Sequence, residues 1–323
     1  MSHKHSCPMC DSSSTSNFLR APDRLHLRRQ TYSLIRCHDC SCVWQPAPPA
    51  PQDMRVHYDE DYHAGLINAG SSDPGSRWSQ PRDMVLKYKR SGSILDIGCS
   101  SGGFLSTFDK KNWKLHGIEL CEDTAELARE ATGGEIFAGD ASDALFAPDS
   151  FDAITTLDVL EHVYDPALLL SNIFRWLKPG GIYFVAVPNV HSWESRVFGS
   201  FWYGLDLPRH LFHFSPSSLH KAANRIGFNC SEMFTPRASY AEHSLRYIFS
   251  ELETKCGLHP LSQATVSASK VKANFAWRVI RKGLRTATVL PLSAAASLLG
   301  AGAQIQAVFE KPIQQKKQTF SAA

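Results

Sequence analysis

The stretch Ser93-Ile-Leu-Asp-Ile-Gly-Cys-Ser-Ser-Gly-Gly-Phe104 constrains this chain more than any other. Ile94 to Ile97 form the apolar run of a short buried strand. A turn rich in Gly and Ser follows, and Phe104-Leu105 opens a helix expected over 103–110. Strand, glycine loop and helix in that order make the junction at which α/β folds bind nucleotides. Gly98 and Gly102 can adopt positive φ and let a ligand approach the backbone with no Cβ in the way. The helix N-terminus behind the loop would offer unpaired N–H groups to a carboxylate or to ribose oxygens.

The chain downstream alternates strand and helix. A strand is expected at Lys114–Ile118, then Glu119, 21 residues after Gly98, where an acid can accept hydrogen bonds from both hydroxyls of a ribose. Glu122 to Ala131 reads as an amphipathic helix with Ala125, Leu127 and Ala128 on its apolar side. Strands follow at Glu135–Ala138, Ser150–Thr156 and Ile182–Val187. A helix over 166–177 begins on Pro166, at a favoured first-turn position, and Lys178-Pro-Gly-Gly181 stops it. Such alternation implies a parallel sheet with right-handed crossovers, and Gln304–Glu310 reads as a last, antiparallel strand. A helix over Trp78–Lys89 packs beside the first strand through Met84, Val85 and Tyr88.

Three readings compete for the glycine loop. A dinucleotide fingerprint would have glycine where Ser100 stands. Gly98-Cys-Ser100-Ser-Gly102 matches the elbow of a serine hydrolase with Ser100 as nucleophile, but that elbow needs several strands before it. Asp96-x-Gly98-x-x-x-Gly102 resembles motif I of class I S-adenosylmethionine-dependent methyltransferases. Leu157-Asp158-Val-Leu-Glu161-His162-Val163 resembles a second region of that family, particularly in the ubiquinone-type O-methyltransferases. The resemblance spans roughly residues 90–235 and implies an α/β, Rossmann-like, seven-stranded methyltransferase sheet with helices on both faces. It also implies that S-adenosylmethionine lies against Asp96, Gly98, Cys99, Gly102, Glu119, Leu120, Asp140, Ala141 and Leu157, with Glu119 on the ribose and Asp140 on the adenine. Without that resemblance Asp140 is equally an acid capping a helix.

Nine cysteines, an odd number, include Cys7-Pro-Met-Cys10 and Cys37-His-Asp-Cys40 with 26 residues between them. Paired CxxC motifs at that spacing favour a reducing compartment and one tetrahedral Zn²⁺ held by Cys7, Cys10, Cys37 and Cys40. Tyr32–Arg36 is a strand leading into the second knuckle, while Cys42 and His38 lie outside the ligand set. The arrangement resembles the zinc-binding N-terminal module fused to some methyltransferases, sugar C-methyltransferases among them, in which spaced tyrosines such as Tyr58 and Tyr62 follow. The expected organisation is a zinc-ribbon-like module over 1–50, a linker and helix over 51–92, and a cofactor-binding core over 93–240 with a substrate cap at 190–216. A helical insertion at 241–303, a last strand at 304–311 and a polar tail at 312–323 complete it. Residues 63–77 read as an exposed connection. A hydrophobic content of 43% suits a sizeable core, and a net charge of +3 is too small to argue for nucleic acid. Met1-Ser-His-Lys-His lacks the apolar region of a signal peptide, so a cytoplasmic protein is expected.

Ligands of such sheets lie over the C-terminal strand ends. Asp158, Glu161 and His162, at i, i+3 and i+4, would share one side of a helical turn. Mg²⁺ held there would orient a hydroxyl substrate, as the ubiquinone-type resemblance suggests; a loop-shaping role is favoured, because the carboxylate set is thin for Mg²⁺. Ser200 to Ser215 is rich in aromatics and resembles a segment of polysaccharide- and lipid-modifying methyltransferases. Trp202, Tyr203, Arg209 and His213 are its expected substrate contacts, with Arg209 gripping an anionic group; packing is the stronger role for His213. His210 is the expected general base, with His162 and Glu161 beside it. The expected reaction is methylation of a small-molecule, sugar or lipid-linked acceptor, on oxygen rather than carbon. A Ser100 hydrolase and a non-catalytic zinc-ribbon adaptor are the alternatives. Basic and apolar residues intermix over Lys270–Arg285, which reads either as a helix on an anionic membrane surface, through 270–300, or as a lid or dimer face.

Overall fold

The computed structural model describes residues 6–26, 28–58, 74–255 and 290–313. Two sheets organise them. The smaller contains β1 (Thr15–Pro22), β2 (Thr31–Cys37), β3 (Val43–Trp44) and β9 (Phe212–His213), in the order β1-β2-β3-β9. The larger contains β4 (Gly92–Ile97), β5 (Trp113–Glu119), β6 (Glu135–Ala138), β7 (Phe151–Leu157), β8 (Leu177–Pro188), β10 (Asn229–Phe234) and β11 (Gln304–Glu310). Its order is β10-β11-β8-β7-β4-β5-β6. Strands β4 to β8 pair in parallel, and β11 runs antiparallel between β8 and β10.

The central strands are near-continuous apolar runs because helices cover both faces. Ile94, Leu95, Ile154, Tyr183, Phe184 and Val185 are fully buried. The covering helices start where local chemistry allows. Asp165 accepts a hydrogen bond from the Leu168 N–H at 2.9 Å, ahead of Pro166. Ser215 and Ser218 form a reciprocal capping box ahead of helix Pro216–Ile226. Helix Glu122–Thr132 buries Ala125, Ala128 and Thr132, spaced by three and four. Leu127, expected on that face, is 53% exposed. Two residues beyond Ala125 a helix has turned about 200°, so Leu127 points away from the sheet.

Two other elements differ from expectation. The helix expected over 103–110 is a single 3₁₀ turn, Leu105–Thr107. Ser106 and Thr107 bond their hydroxyls back to the Gly102 and Phe104 carbonyls at 2.8 and 2.7 Å. Such back-bonding weakens a helix interior, and Phe108 then turns extended. The stop at Lys178–Gly181 is part of a strand. β8 begins at Leu177, which pairs with Phe151, and a register shift before Ala153 absorbs the Gly-Gly pair as a bulge.

The four-cysteine unit is continuous with the cap. Val43 pairs with His213 and Trp44 with Phe212, so the sheet runs through the boundary expected near residue 50. Helices Ala241–Lys255 and Leu290–Leu298 lie in the expected insertion. Tyr62, most of the 63–77 connection, the basic run 270–285 and the tail from 314 lie outside the described residues. Among those described, no helix is long and apolar enough to cross a membrane.

Candidate active site

The C-terminal ends of β4, β5, β6 and β7 bring the expected cofactor residues to one edge. Gly98 and Gly102 have φ of +73° and +77°. A Cβ on Gly98 would lie 2.5 Å from Val159, and one on Gly102 would lie 2.7 Å from Thr132. Both glycines are therefore required by close packing of the protein on itself, not by space left for a ligand. With only a 3₁₀ turn behind the loop, the expected helix N-terminus is absent as an anion site. Glu119 takes its place in organising the loop: its carboxylate accepts from the Ser100 N–H at 3.0 Å and the Cys121 N–H at 3.1 Å. A carboxylate has about four acceptor positions, so two remain for a ribose diol. Leu120, 73% exposed, adds apolar surface beside it. Asp140 accepts from the Ser142 N–H at 2.8 Å, which shapes the turn after β6 and leaves its second oxygen free of that bond. These acceptors and apolar surface fit an adenosyl ligand.

Asp96 lies beneath this edge, 3% exposed. Burial pushes its carboxyl up to about 7, against the lowering effect of the Thr155 hydroxyl that donates to it at 2.5 Å, with the charge of Glu119 adding to the rise. Cys99 is buried beside it, with its thiol also raised by burial. Ser100 is not placed as a hydrolase nucleophile. β4 is the first strand of its sheet in the chain, and the Ser100 amide is committed to Glu119.

Glu161, His162 and His210 come together, each offering an atom within 4.8 Å of the others. Asp158, expected in this group, is not in it. It sits at φ +56° and accepts from Gln304 at 3.0 Å, while only Leu160–His162 forms a 3₁₀ turn. Glu161 is 1% exposed and neither carboxyl oxygen has a hydrogen-bond partner. Burial raises its carboxyl well above the ordinary value, and Asp158 nearby adds to this. His162 Nδ1 lies 3.1 Å from the Arg209 carbonyl and 3.0 Å from the Tyr58 hydroxyl. His210 Nδ1 lies 3.0 Å from the Gly204 carbonyl. A carbonyl only accepts, so the Gly204 contact assigns the His210 proton to Nδ1; the Arg209 carbonyl favours the same tautomer in His162, whose Nδ1 also meets the Tyr58 hydroxyl. Burial lowers the basicity of both rings, that of His210 strongly.

Two imidazole nitrogens and one unpartnered carboxylate are a donor set for a divalent ion. Nitrogen donors suit Zn²⁺, Mn²⁺ or Fe²⁺ better than Mg²⁺, which prefers oxygen. Backbone carbonyls holding each Nδ1–H are the outer support that metal-binding histidines need.

Three expected substrate contacts have other work. Arg209 is 1% exposed. It donates to Asp206 at 2.6 and 3.0 Å, to Asp23 at 3.3 and 3.4 Å, and to the His57 carbonyl at 3.3 Å. No donor is left to grip a substrate anion. Burial would raise the Asp23 and Asp206 carboxyls, yet His26, His57 and Arg209 hold the first, and Arg209 the second, below the usual range. Trp202 is 1% exposed, packed with Ala21, Tyr32, Val43 and Leu205. His213 is equally buried, with Nε2 on the Leu205 carbonyl at 3.0 Å. Tyr203 is half-buried among Tyr240, His243 and Tyr247. Asp23, Gln45 and His57 escaped the sequence reading because their partners lie far away in the chain.

The sulfurs of Cys7, Cys10, Cys37 and Cys40 all lie within 4.8 Å of one another. Cys7–Cys40 and Cys10–Cys37 are each separated by 3.5 Å. A tetrahedral ion with metal–sulfur bonds of about 2.3 Å needs edges of about 3.8 Å. The two knuckles match: each is followed by a residue at positive φ, Asp11 and Ser41. Cys42 is buried outside the set.

Residues 76–232 match the family model of a methyltransferase domain. The chain is 28% identical over 170 residues to the ubiquinone biosynthesis O-methyltransferase of Thiobacillus denitrificans, covering 49% of this chain and 71% of that one. It is 27% identical over 133 residues to phosphoethanolamine N-methyltransferase 1 of Triticum aestivum, covering 39% of this chain and 26% of that one. The chain thus spans about a quarter of the wheat relative's length. The fold resembles the complex between the Haloferax volcanii Trm112 methyltransferase activator and the putative methyltransferase, with TM-score 0.53, 17% identity, and 81% and 99% of the two chains covered. It also resembles Haemonchus contortus phosphoethanolamine N-methyltransferase 2 in complex with S-adenosyl-L-methionine, with TM-score 0.52, 20% identity, and 84% and 62% covered. Sheet order, glycine loop and family match agree on a methyltransferase domain of Rossmann-like fold over residues 76–232.

Proposed function

We propose that this chain methylates a small-molecule acceptor, on oxygen in preference to nitrogen or carbon, with the acceptor held under the cap against Glu161, His162 and His210. The observation that carries this reading is the buried carboxyl of Glu161, without a hydrogen-bond partner, beside the imidazoles of His162 and His210. Glu119 would hold the ribose of S-adenosylmethionine, Asp140 its adenine edge, and Asp96 the interior of the same pocket. The bound cofactor supplies an already activated methyl group, so the protein's task is alignment and exclusion of water.

A hydroxyl acceptor must lose its proton as it attacks. His210 Nε2 is a neutral acceptor at pH 7 because burial disfavours its cation, and a placed base contributes about 10²–10⁴-fold. The same three residues would alternatively hold a divalent ion. Such an ion supplies charge that lowers the hydroxyl pKa and orients its oxygen. The orphaned Glu161 favours the ion, since an unpaired buried carboxyl costs free energy that a cation offsets. The relatives named above include an O-methyltransferase of ubiquinone biosynthesis and a phosphoethanolamine N-methyltransferase, so phenolic hydroxyls head the oxygen acceptors, sugar and lipid-linked hydroxyls follow, and a phosphobase amine is the nitrogen alternative. The four cysteines would hold one structural Zn²⁺.

Calorimetry with S-adenosylhomocysteine tests the cofactor; no binding at millimolar ligand would remove the whole reading. Transfer of labelled methyl to phenolic, phosphobase and sugar acceptors, with and without a chelator, tests the rest. Transfer only to amines, untouched by Glu161→Gln, would refute the oxygen acceptor and the cluster together.

A further inference from the structure

Gln45 stands one residue beyond β3 and is 5% exposed. Its side-chain Nε2 donates to the Pro208 carbonyl and to the His210 carbonyl, both at 2.8 Å. Its backbone N–H donates to the Leu211 carbonyl at 2.9 Å, and the Leu211 N–H donates to the Glu161 carbonyl at 2.8 Å. One residue therefore holds the backbone on both sides of Arg209 and is linked to the backbone of Glu161 by two successive hydrogen bonds through Leu211. An amide is suited to this: its two N–H groups diverge toward two carbonyls, as no hydroxyl or carboxylate could.

The grip originates in the four-cysteine unit. Cys40 ends the second knuckle, Val43 and Trp44 pair with β2 on one side and with β9 on the other, and Gln45 follows at once. Three to five residues of extended chain cannot move far independently of the knuckle that anchors them. We propose that Gln45 is a positioning residue for His210, and that through it the cysteine unit sets the geometry of the Glu161–His162–His210 cluster. The second half of this inference rests on the functional reading above; the contact itself does not.

The test uses full-length, zinc-loaded protein with Gln45→Met, which keeps the volume and removes both donors, and Gln45→Asn, which keeps the amide but shortens its reach. Three quantities are measured: S-adenosylhomocysteine affinity by calorimetry, amide hydrogen exchange across 208–213, and Mn²⁺ affinity by electron paramagnetic resonance. In both variants exchange should quicken by at least about tenfold, as expected when carbonyls lose buried partners, and Mn²⁺ should bind at least about tenfold more weakly. S-adenosylhomocysteine affinity should stay within about twofold, because the hydrogen bonds of Gln45 run to residues 208, 210 and 211. Glu161→Gln should abolish Mn²⁺ binding and leave exchange unchanged. Wild-type exchange in Gln45→Met overturns the proposal. So does lost cofactor affinity in both variants, which would mean general unfolding. If wild-type protein binds no Mn²⁺, the ion reading fails and the exchange measurement alone decides the role of Gln45.

Discussion

Replacing Asp23 by asparagine keeps its shape and removes the charge that faces Arg209, His26 and His57. Asp23 and the Arg209 side chain are each fully buried, with the guanidinium 3.3 Å from the carboxylate. Removing one partner of such a pair costs about 3–5 kcal/mol, because the other charge is left without compensation. Here Asp206 still neutralises Arg209, at 2.6 Å, so Asp23→Asn should fall near the lower bound, about 3 kcal/mol. Arg209→Met leaves two carboxylates without their cation and should fall near the upper bound, about 5 kcal/mol. The sign with pH follows from the depressed Asp23 carboxyl. Its contribution is present above the ordinary aspartate value of about 3.9 and is lost as pH falls through the lower folded value, so the full difference is visible at pH 7. Urea unfolding followed by tryptophan fluorescence is suitable, since Trp44 and Trp202 are both buried in the smaller sheet and cap. A loss below about 1 kcal/mol in Asp23→Asn, the size of an exposed pair, would refute the claim that this ion pair joins the cysteine unit to the cap. A milder effect in Arg209→Met than in Asp23→Asn would refute the division of charge.

Glu119→Ala should weaken S-adenosylmethionine binding by at least about tenfold, since bonds to a charged acceptor contribute roughly 1.5–3 kcal/mol each; calorimetry at wild-type strength would exclude the ribose role. Metal analysis should find about one zinc per chain, and a chelator should unfold the smaller sheet as seen by hydrogen exchange; an intact fold in metal-free protein would exclude structural zinc. Asp96, raised by burial to about 7, favours the folded state at low pH, and that contribution is lost as pH rises from about 4 to 7. Asp96→Asn should flatten the ligand-free stability profile over that window, and a slope equal to wild type would place the titration elsewhere. If His210 rather than an ion takes the proton, His210→Ala should reduce turnover at least about a hundredfold with cofactor affinity unchanged.

Six of the seven strands of the larger sheet were legible because their signals are local; the edge strand β10 was not singled out. Each strand, turn and helix start lies within a dozen residues of its evidence: Ile94–Ile97 before Gly98, Asp165 before Pro166, Ser215 before Pro216. The helix after the glycine loop failed for an equally local reason, the hydroxyls of Ser106 and Thr107. The cap was opaque because residue type gives bonding capacity but not partners. Arg209 in an aromatic, histidine-rich segment looks the same whether its donors face a substrate or face Asp23, 186 residues away.

What separates a binding group from a structural one in this segment is the bonding capacity left after folding. Arg209 has none, because two carboxylates and a carbonyl take its donors. Trp202 and His213 are too deeply buried to touch a ligand. His162 and His210 each commit Nδ1 to a carbonyl and keep Nε2, and Glu161 keeps both oxygens. An unmet buried acceptor is costly, so a fold retains three together only where something supplies the missing donor or cation. On this ground the proposed chemistry lies at Glu161, His162 and His210 and not at Arg209, while Gln45 and Asp23 of the cysteine unit hold Arg209 and its flanking carbonyls in place.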